Sequence, residues 1–389
     1  MMLTGFRGVA LACGCWCLAG CPQPVTPAQD DGGDASSSTG GADSGSESSG
    51  PDMADSDTGP ATGTGSSDGG SSEESSGSTG GGVVDEGCPE CLVLATGLQS
   101  GRGIAVDATH VFFGDEAAGT IHSITKGGGD GGVLADEAGT PYELLVHEGF
   151  LYWTSNTDAG DVWRIPVDGG RRELIADATN PRTVAVADGF IYWGSYDGST
   201  GDISRVDIDL QGESEQVSTF LGGGVSDLVA AGGVLYASVQ TQDEGAAFIQ
   251  PPPKGPPIGA VYAINPDNPF DPNVVAADMA QPWGLALSGS TLVWANGDGA
   301  VENVPNSVLA GSVGAPASTL AANQTAPWGI AADDNFAYWT DADTVKAIPL
   351  AGGMPTLLAD QQNLARYIAV DDTSVYWITS ERVLQRPKP

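Results

Sequence analysis

From Cys88 onward, seven positions carry residues suited to recognition. Each stands just before a short apolar run that recurs along the chain, and they read Arg102, Tyr142, Arg182, Ser226, Trp283, Trp328 and Arg366. Six of the seven are arginine or aromatic, and three are arginine. With 14 Lys+Arg in 389 residues, chance would place fewer than one cation there. Arginine offers a planar fork to carboxylate or phosphate, and Trp or Tyr offers a face to sugars, flat rings or cations. Arg102, Tyr142, Arg182, Trp283, Trp328 and Arg366 are therefore expected to form a ligand-binding ring. The competing reading is that the arginines pair with acids and the tryptophans are packed strand starts, which a net charge of −36 also accommodates.

Other chemistry is sparse. Cys88-Pro89-Glu90-Cys91 has the spacing of redox and zinc motifs, but a redox motif opens a helix after a strand and zinc needs two further ligands. A local disulfide is expected, fixing the entry of a strand, with free thiols as the alternative. Only three histidines are present, His110, His122 and His147. His122 falls inside a strand and the others beside turns, so none is nominated as a general acid or base. No Gly-x-Ser-x-Gly elbow, Walker loop, His-Glu-x-x-His pair or dinucleotide fingerprint occurs after Cys88. Acidic turns at Asn156-Thr157-Asp158, Asp197-Gly198, Asn296-Gly297-Asp298 and Asp341-Ala342-Asp343 offer calcium-type oxygen ligands. Asp, Asn and Gly are also ordinary hairpin residues, and none of these turns is a complete calcium loop. No catalytic residue, metal site or resident cofactor is assigned.

The elements that position these residues follow from a repeat. The apolar runs are Gly103-Ile104-Ala105-Val106, Glu143-Leu144-Leu145-Val146, Thr183-Val184-Ala185-Val186, Asp227-Leu228-Val229-Ala230, Gly284-Leu285-Ala286-Leu287, Gly329-Ile330-Ala331-Ala332 and Tyr367-Ile368-Ala369-Val370. An aromatic run follows each, as in Leu151-Tyr152-Trp153-Thr154 and Val375-Tyr376-Trp377-Ile378. Third and fourth strand-like runs come next, and turn residues separate them. Four antiparallel strands per repeat of about 40 residues is the pattern of a β-propeller blade. The seventh copy supplies three strands before the chain ends, and Cys91-Leu92-Val93-Leu94-Ala95 is free to be its fourth. An all-β propeller of seven four-stranded blades, closed by an N-terminal strand, is expected over 88–389, with six blades as the alternative. The fourth copy is longer and includes Pro251-Pro252-Pro253-Lys254-Gly255-Pro256-Pro257, a stiff segment expected on the face that carries the ring.

The second strands resemble the YWTD repeat of extracellular propellers, most closely at Tyr338-Trp339-Thr340-Asp341 and more loosely at Tyr152-Trp153-Thr154-Ser155. Pro327-Trp328-Gly329-Ile330-Ala331 resembles the blade starts of NHL-type and virginiamycin B lyase-type propellers. These resemblances imply a propeller. The lyase type implies a catalytic histidine near the propeller face, for which no residue is nominated. The YWTD family usually closes with six blades, and one of seven copies here keeps the whole tetrapeptide.

The N-terminus carries an address. Arg7 precedes an apolar stretch from Gly8 to Gly20, too short to span a bilayer, so residues 1–20 read as a signal peptide. Leu18-Ala19-Gly20-Cys21 resembles the bacterial lipobox, which implies that Cys21 is acylated and anchors the chain to the lipid bilayer. Pro22 after it resembles the pattern for outer-membrane retention. From Pro22 to Gly87 there are 13 acidic residues, no Lys or Arg and no aromatic residue. Such a segment cannot bury enough apolar surface to offset the entropy of ordering, so 21–87 is expected to be a disordered tether. With 50 Asp+Glu, direct nucleic-acid binding is excluded on charge. The expectation is a lipid-anchored protein of the bacterial cell envelope. It binds a protein, peptide or glycan without chemistry; the alternative is a lyase or hydrolase with a channel-bound metal.

Overall fold

In a computed structural model the described residues are 84–241, 247–248, 259–269, 272–279, 281–297 and 306–389. The signal peptide, Cys21, most of the acidic linker, the proline-rich run 251–257 and Asp298 lie outside them. The described residues form seven antiparallel sheets and no helix. Each sheet is a blade, and the blades follow one another along the chain.

The innermost strands are Gly101–Val106, Pro141–His147, Thr183–Ala187, Gly223–Ala231, Pro282–Ser288, Pro327–Ala332 and Tyr367–Val370, in blades 1 to 7. Each is followed by a second strand that lies between two neighbouring blades, and in every blade but the fourth, where Tyr236 is half-buried, its apolar and aromatic run is buried on both faces. Trp153, Trp294, Trp339 and Trp377 are all 0% exposed. Burying each such side chain contributes about 1.5–3 kcal/mol or more. Three indole N–H groups find their partner in the preceding connection: Trp153 donates to Ala138 O, Trp339 to Gln324 Oε1 and Trp377 to Gln362 Oε1. Trp294, at the same place in blade 5, is buried with its indole N–H unpartnered.

Seven separate apolar clusters occupy the seven seams between blades. One joins Tyr338 and Val345 of blade 6 to Trp377 and Leu384 of blade 7, and another joins Tyr376 and Ile378 of blade 7 to Val111 and Phe113 of blade 1. The ring is therefore closed by side chains at every seam.

Closure in the last blade uses both ends of the chain. Tyr367–Val370, Ser374–Ile378 and Arg382–Pro387 are completed by Cys88–Thr96, with Leu92 opposite Gln385 and Thr96 opposite Arg382. Seven blades closed by an N-terminal strand are as expected, but folded structure begins earlier than Cys88. Val84–Asp85 adds a short fifth strand to this blade. Asp85 is buried, ion-paired with Arg382 and hydrogen-bonded to Gln362. The linker composition concealed that contact, since one acidic residue among many carries no local signal. Ala247–Phe248 similarly extends blade 3 at its outer edge. Cys88 and Cys91 form a disulfide, both buried in the seam between blades 6 and 7.

Candidate functional site: the mouth of the axial channel

The inner strands enclose an axial cavity of about 350 Å³. Tyr142, Ser226, Trp283, Trp328 and Arg366 line one end, and His147 lies at the far ends of the same strands, together with Leu287 and Ala230. Arg102 and Arg182, the two other expected ring residues, stand outside the cavity wall. The ring positions are thus on one face, as blade order requires, but their side chains fall into groups.

Blades 5 to 7 contribute a stack. The Trp283 and Trp328 rings are 4.0 Å apart between centroids and 17° from parallel, and the Arg366 guanidinium lies 4.9 Å from the Trp328 centroid. Blade order puts Trp283 and Arg366 on opposite sides of Trp328. In blades 1 and 2, Arg102 lies 4.6 Å over the Tyr142 ring and its Nε donates to Glu116 at 3.0 Å; Tyr142 meets Tyr367 edge-on. Arg182, in blade 3, covers Tyr196 at 5.3 Å. Blade 4 offers only Ser226.

The arginines differ in their commitments. Arg102 is ion-paired, whereas Arg182 and Arg366 have neither a carboxylate nor a hydrogen-bond acceptor for their side chains among the described residues. Carboxylates outnumber cations 50 to 14 in this chain, and besides Arg182 and Arg366 the exposed Arg171 is the one other described cation that holds no carboxylate. Lys126, Arg164, Arg172, Arg205, Lys346, Arg382, Arg386 and Lys388 all hold a carboxylate.

Beneath the mouth lies a polar group that the sequence pattern did not reveal. Glu143, Thr183 and Asp227 are the first residues of the recurring runs in blades 2, 3 and 4. The Thr183 hydroxyl donates to Asp227 Oδ1 at 3.1 Å and accepts from the Leu228 N–H at 3.0 Å. Asp227 also accepts from its own Leu228 N–H and, through Oδ2, from the Leu285 N–H of blade 5 at 2.7 Å. The Glu143 carboxyl lies beside Thr183 and Asp227. Both carboxyls touch water only inside the channel. Burial, with the Asp227 charge beside it, holds the Glu143 carboxyl well above the usual carboxylate range. Burial also raises Asp227 to about 6, against the opposing pull of the Leu285 and Leu228 N–H bonds. The two carboxyls act as one pair, each biased by burial toward its protonated form. A charged residue opening an otherwise apolar inner strand was the available signal.

The remaining candidates lie elsewhere. His122 stacks on Phe113 at 5.3 Å, and His110 bonds to Thr109. Burial lowers the pKa of His122. Among the described residues no group of three or more His, Cys, Asp or Glu gathers as metal ligands would. The acidic turns use their oxygens locally: Asp197 accepts from the Ser199 and Thr200 N–H groups, and Asp341 from Ala326 N–H and Lys346.

Solved structures share this architecture. Virginiamycin B lyase from Staphylococcus aureus superposes with a TM-score of 0.59 at 15% identity, over 77% of this chain and 98% of that one. The WD40 domain of Neurospora crassa Pan2 gives 0.55 at 11% identity, covering 79% and 98%. The computationally designed Ika8 protein gives 0.52 at 15% identity, covering 76% and 98%. At these identities the likeness is one of fold alone. No family model matches the sequence, and no curated protein is similar to it.

Proposed function

We propose that this protein is a binding module of the bacterial cell envelope, tethered by acylated Cys21 through its acidic linker. It captures a protein, peptide or glycan at the aromatic and arginine mouth of the propeller channel, without chemistry. The observation that supports this most is the state of Arg182 and Arg366, which stand on the mouth face without a carboxylate in a strongly acidic chain. Held against Trp328 and Tyr196, their guanidinium groups are oriented and leave N–H donors for an external anionic group.

The test is binding of the full chain to an immobilised panel of envelope glycans and peptides, compared with Arg182→Ala, Arg366→Ala and the double variant. Each charge-assisted contact contributes about 1.5–3 kcal/mol, so the double variant should lose at least tenfold in affinity with an unchanged melting temperature. Equal affinity of parent and double variant would remove the mouth from the assignment.

A second reading, lyase or hydrolase chemistry in the channel, is favoured by the Glu143–Asp227 pair, since two adjacent carboxyls can act as acid and base. Whether such chemistry also draws on a channel-bound metal is read from its sensitivity to chelators. Turnover of a panel ligand that persists in Glu143→Gln would rule the pair out as its source.

A further inference from the structure

The axial cavity encloses charges of both signs that the chain itself does not neutralise. Glu143 and Asp227 line it below the mouth, and the groups beside them are neutral: the Thr183 hydroxyl and the Leu228 and Leu285 N–H groups. No lysine or arginine is among the groups that act on either carboxyl. At the mouth end of the same cavity the Arg366 guanidinium lies against Trp328 and holds no carboxylate among the described residues. His147, at the far end, has the exposed Glu148 at 4.0 Å. An acid without a cation is ordinary at the surface of so acidic a chain, but enclosing one without a counter-charge is costly.

The rest of the wall is largely apolar. Trp283 and Trp328 stand at the mouth end beside Arg366. Further along the inner strands Leu145, Val186, Val229 and Leu287, each half-buried, carry the wall down to His147. Walls of this kind lower the local dielectric and strengthen whatever charge contacts form inside them. From mouth to far end the cavity therefore presents a guanidinium, a carboxyl pair and an apolar sleeve.

We propose that the axial cavity is a site for a free α-amino acid with an apolar side chain, its carboxylate on Arg366, its ammonium on the Glu143–Asp227 pair and its side chain along the sleeve toward His147. The inference rests on the reading of Arg366 as an anion contact of the mouth and specifies what the cavity beneath it adds. A zwitterion supplies both missing counter-charges at once, whereas a simple acid leaves the carboxyl pair without one and a simple amine leaves Arg366 without one. The ammonium also favours the ionised form of both carboxyls and so offsets the cost of their burial. Its three N–H donors suit the acceptor oxygens of two neighbouring carboxyls. A basic side chain would bring a second positive charge into the apolar sleeve, which disfavours it. At about 350 Å³ the cavity lies at the lower end of the usual size for small-ligand sites and has room for one such molecule.

The experiment is calorimetric titration of the full chain with L-leucine, L-leucinol, 4-methylpentanoate and L-lysine. Leucine should bind, with leucinol, which lacks the carboxylate, and 4-methylpentanoate, which lacks the amine, each weaker by about tenfold or more. Lysine should also bind more weakly than leucine. Arg366→Gln should reduce leucine to the level of leucinol, and Glu143→Gln should reduce it to the level of 4-methylpentanoate. Should Glu143→Gln fail to fold, Asp227→Asn carries the same expectation. No leucine binding by the parent, or leucine affinity unchanged in Arg366→Gln or in the folded carboxyl variant, overturns the proposal. Equal binding of leucine and 4-methylpentanoate, both lost in Arg366→Gln, also overturns the zwitterion site, and leaves Arg366 as an anion contact of the mouth.

Discussion

Two arcs of the inner ring solve the same packing problem in opposite ways. The second position of the blade start is glycine in blades 5, 6 and 1, Tyr367 in blade 7, and Glu143, Thr183 and Asp227 in blades 2, 3 and 4. On the glycine arc, backbone meets backbone. A Cβ on Gly329 would lie 2.2 Å from Arg366 O, one on Gly284 2.9 Å from Trp328 O, and one on Gly103 2.8 Å from Tyr142 O. In each case the obstacle is the ring residue of the next blade. On the polar arc the same position also reaches the next blade, but through polar groups: Glu143 lies beside Thr183, the Thr183 hydroxyl donates to Asp227 and accepts from the Leu228 N–H, and Asp227 accepts from the Leu285 N–H. The difference shows that one repeat position can serve either close packing or a polar chain. Among the described residues, only the polar arc places carboxyl groups on the channel.

The largest effect should come from filling the glycine arc. Gly329→Val forces a branched side chain into a backbone carbonyl, and a loss of more than about 3 kcal/mol is expected, read as a collapse of the melting temperature. If Gly329→Val melts like the parent, the arcs are not held by different forces.

Next is removal of the polar chain's centre. Asp227→Ala leaves the Leu285 N–H and the Thr183 hydroxyl without their acceptor and the Leu228 N–H with Thr183 alone, and a cost of about 3 kcal/mol in denaturant unfolding is expected. A cost as small as that of an exposed substitution would mean that water replaces the carboxylate and that the arc is loosely built.

The pair also predicts a pH dependence of defined sign. An acid whose folded pKa is raised binds its proton more tightly in the folded state, so stability falls as pH rises from about 4 through about 6. The loss should be on the order of 1–3 kcal/mol at 1.36 kcal/mol per unit. Asp227→Asn should flatten this window. Asp333 behaves oppositely: its carboxylate, bonded to Lys388, Tyr338 and the Asn335 and Phe336 N–H groups, has its pKa lowered to about 2. Its contribution is lost below about pH 4, in the parent and in Asp227→Asn alike. A parent curve that is flat between pH 4 and 6 would contradict the enclosed position of the pair.

Thr183→Val should cost least, about 1 kcal/mol, because it deletes one donor to Asp227 while its Leu228 partner keeps a bond to Asp227. A larger loss would place the hinge of the polar arc at Thr183 rather than Asp227.

The sequence was informative where the repeat was. Copies such as Leu151-Tyr152-Trp153-Thr154 occur because a second strand is buried on both faces in every blade, so the same local pattern is imposed each time. The incomplete seventh copy implied that Cys91–Ala95 closes the ring, and the pairing of Leu92 with Gln385 realises it. Enrichment of Arg and aromatics just before the inner strands marked the mouth. By contrast, Glu143 and Asp227 looked like two unrelated acids in an acidic chain, and Asp85 looked like more of the linker.

Strand identity, blade number and the mode of closure were written in the sequence alone, because they depend on periodicity and turn chemistry within each repeat of about 40 residues. The commitments of the mouth were decided only by tertiary structure. Arg102 finds Glu116 within its own blade and is neutralised, while Arg182 and Arg366, the same residue type at the same repeat position, meet aromatic rings and, among the described residues, no carboxylate. The Glu143–Asp227 pair is assembled from two blades separated by a third. Charge pairing of that kind acts over a few ångströms, and which groups come within that range is set by the closing of the ring, not by any local pattern.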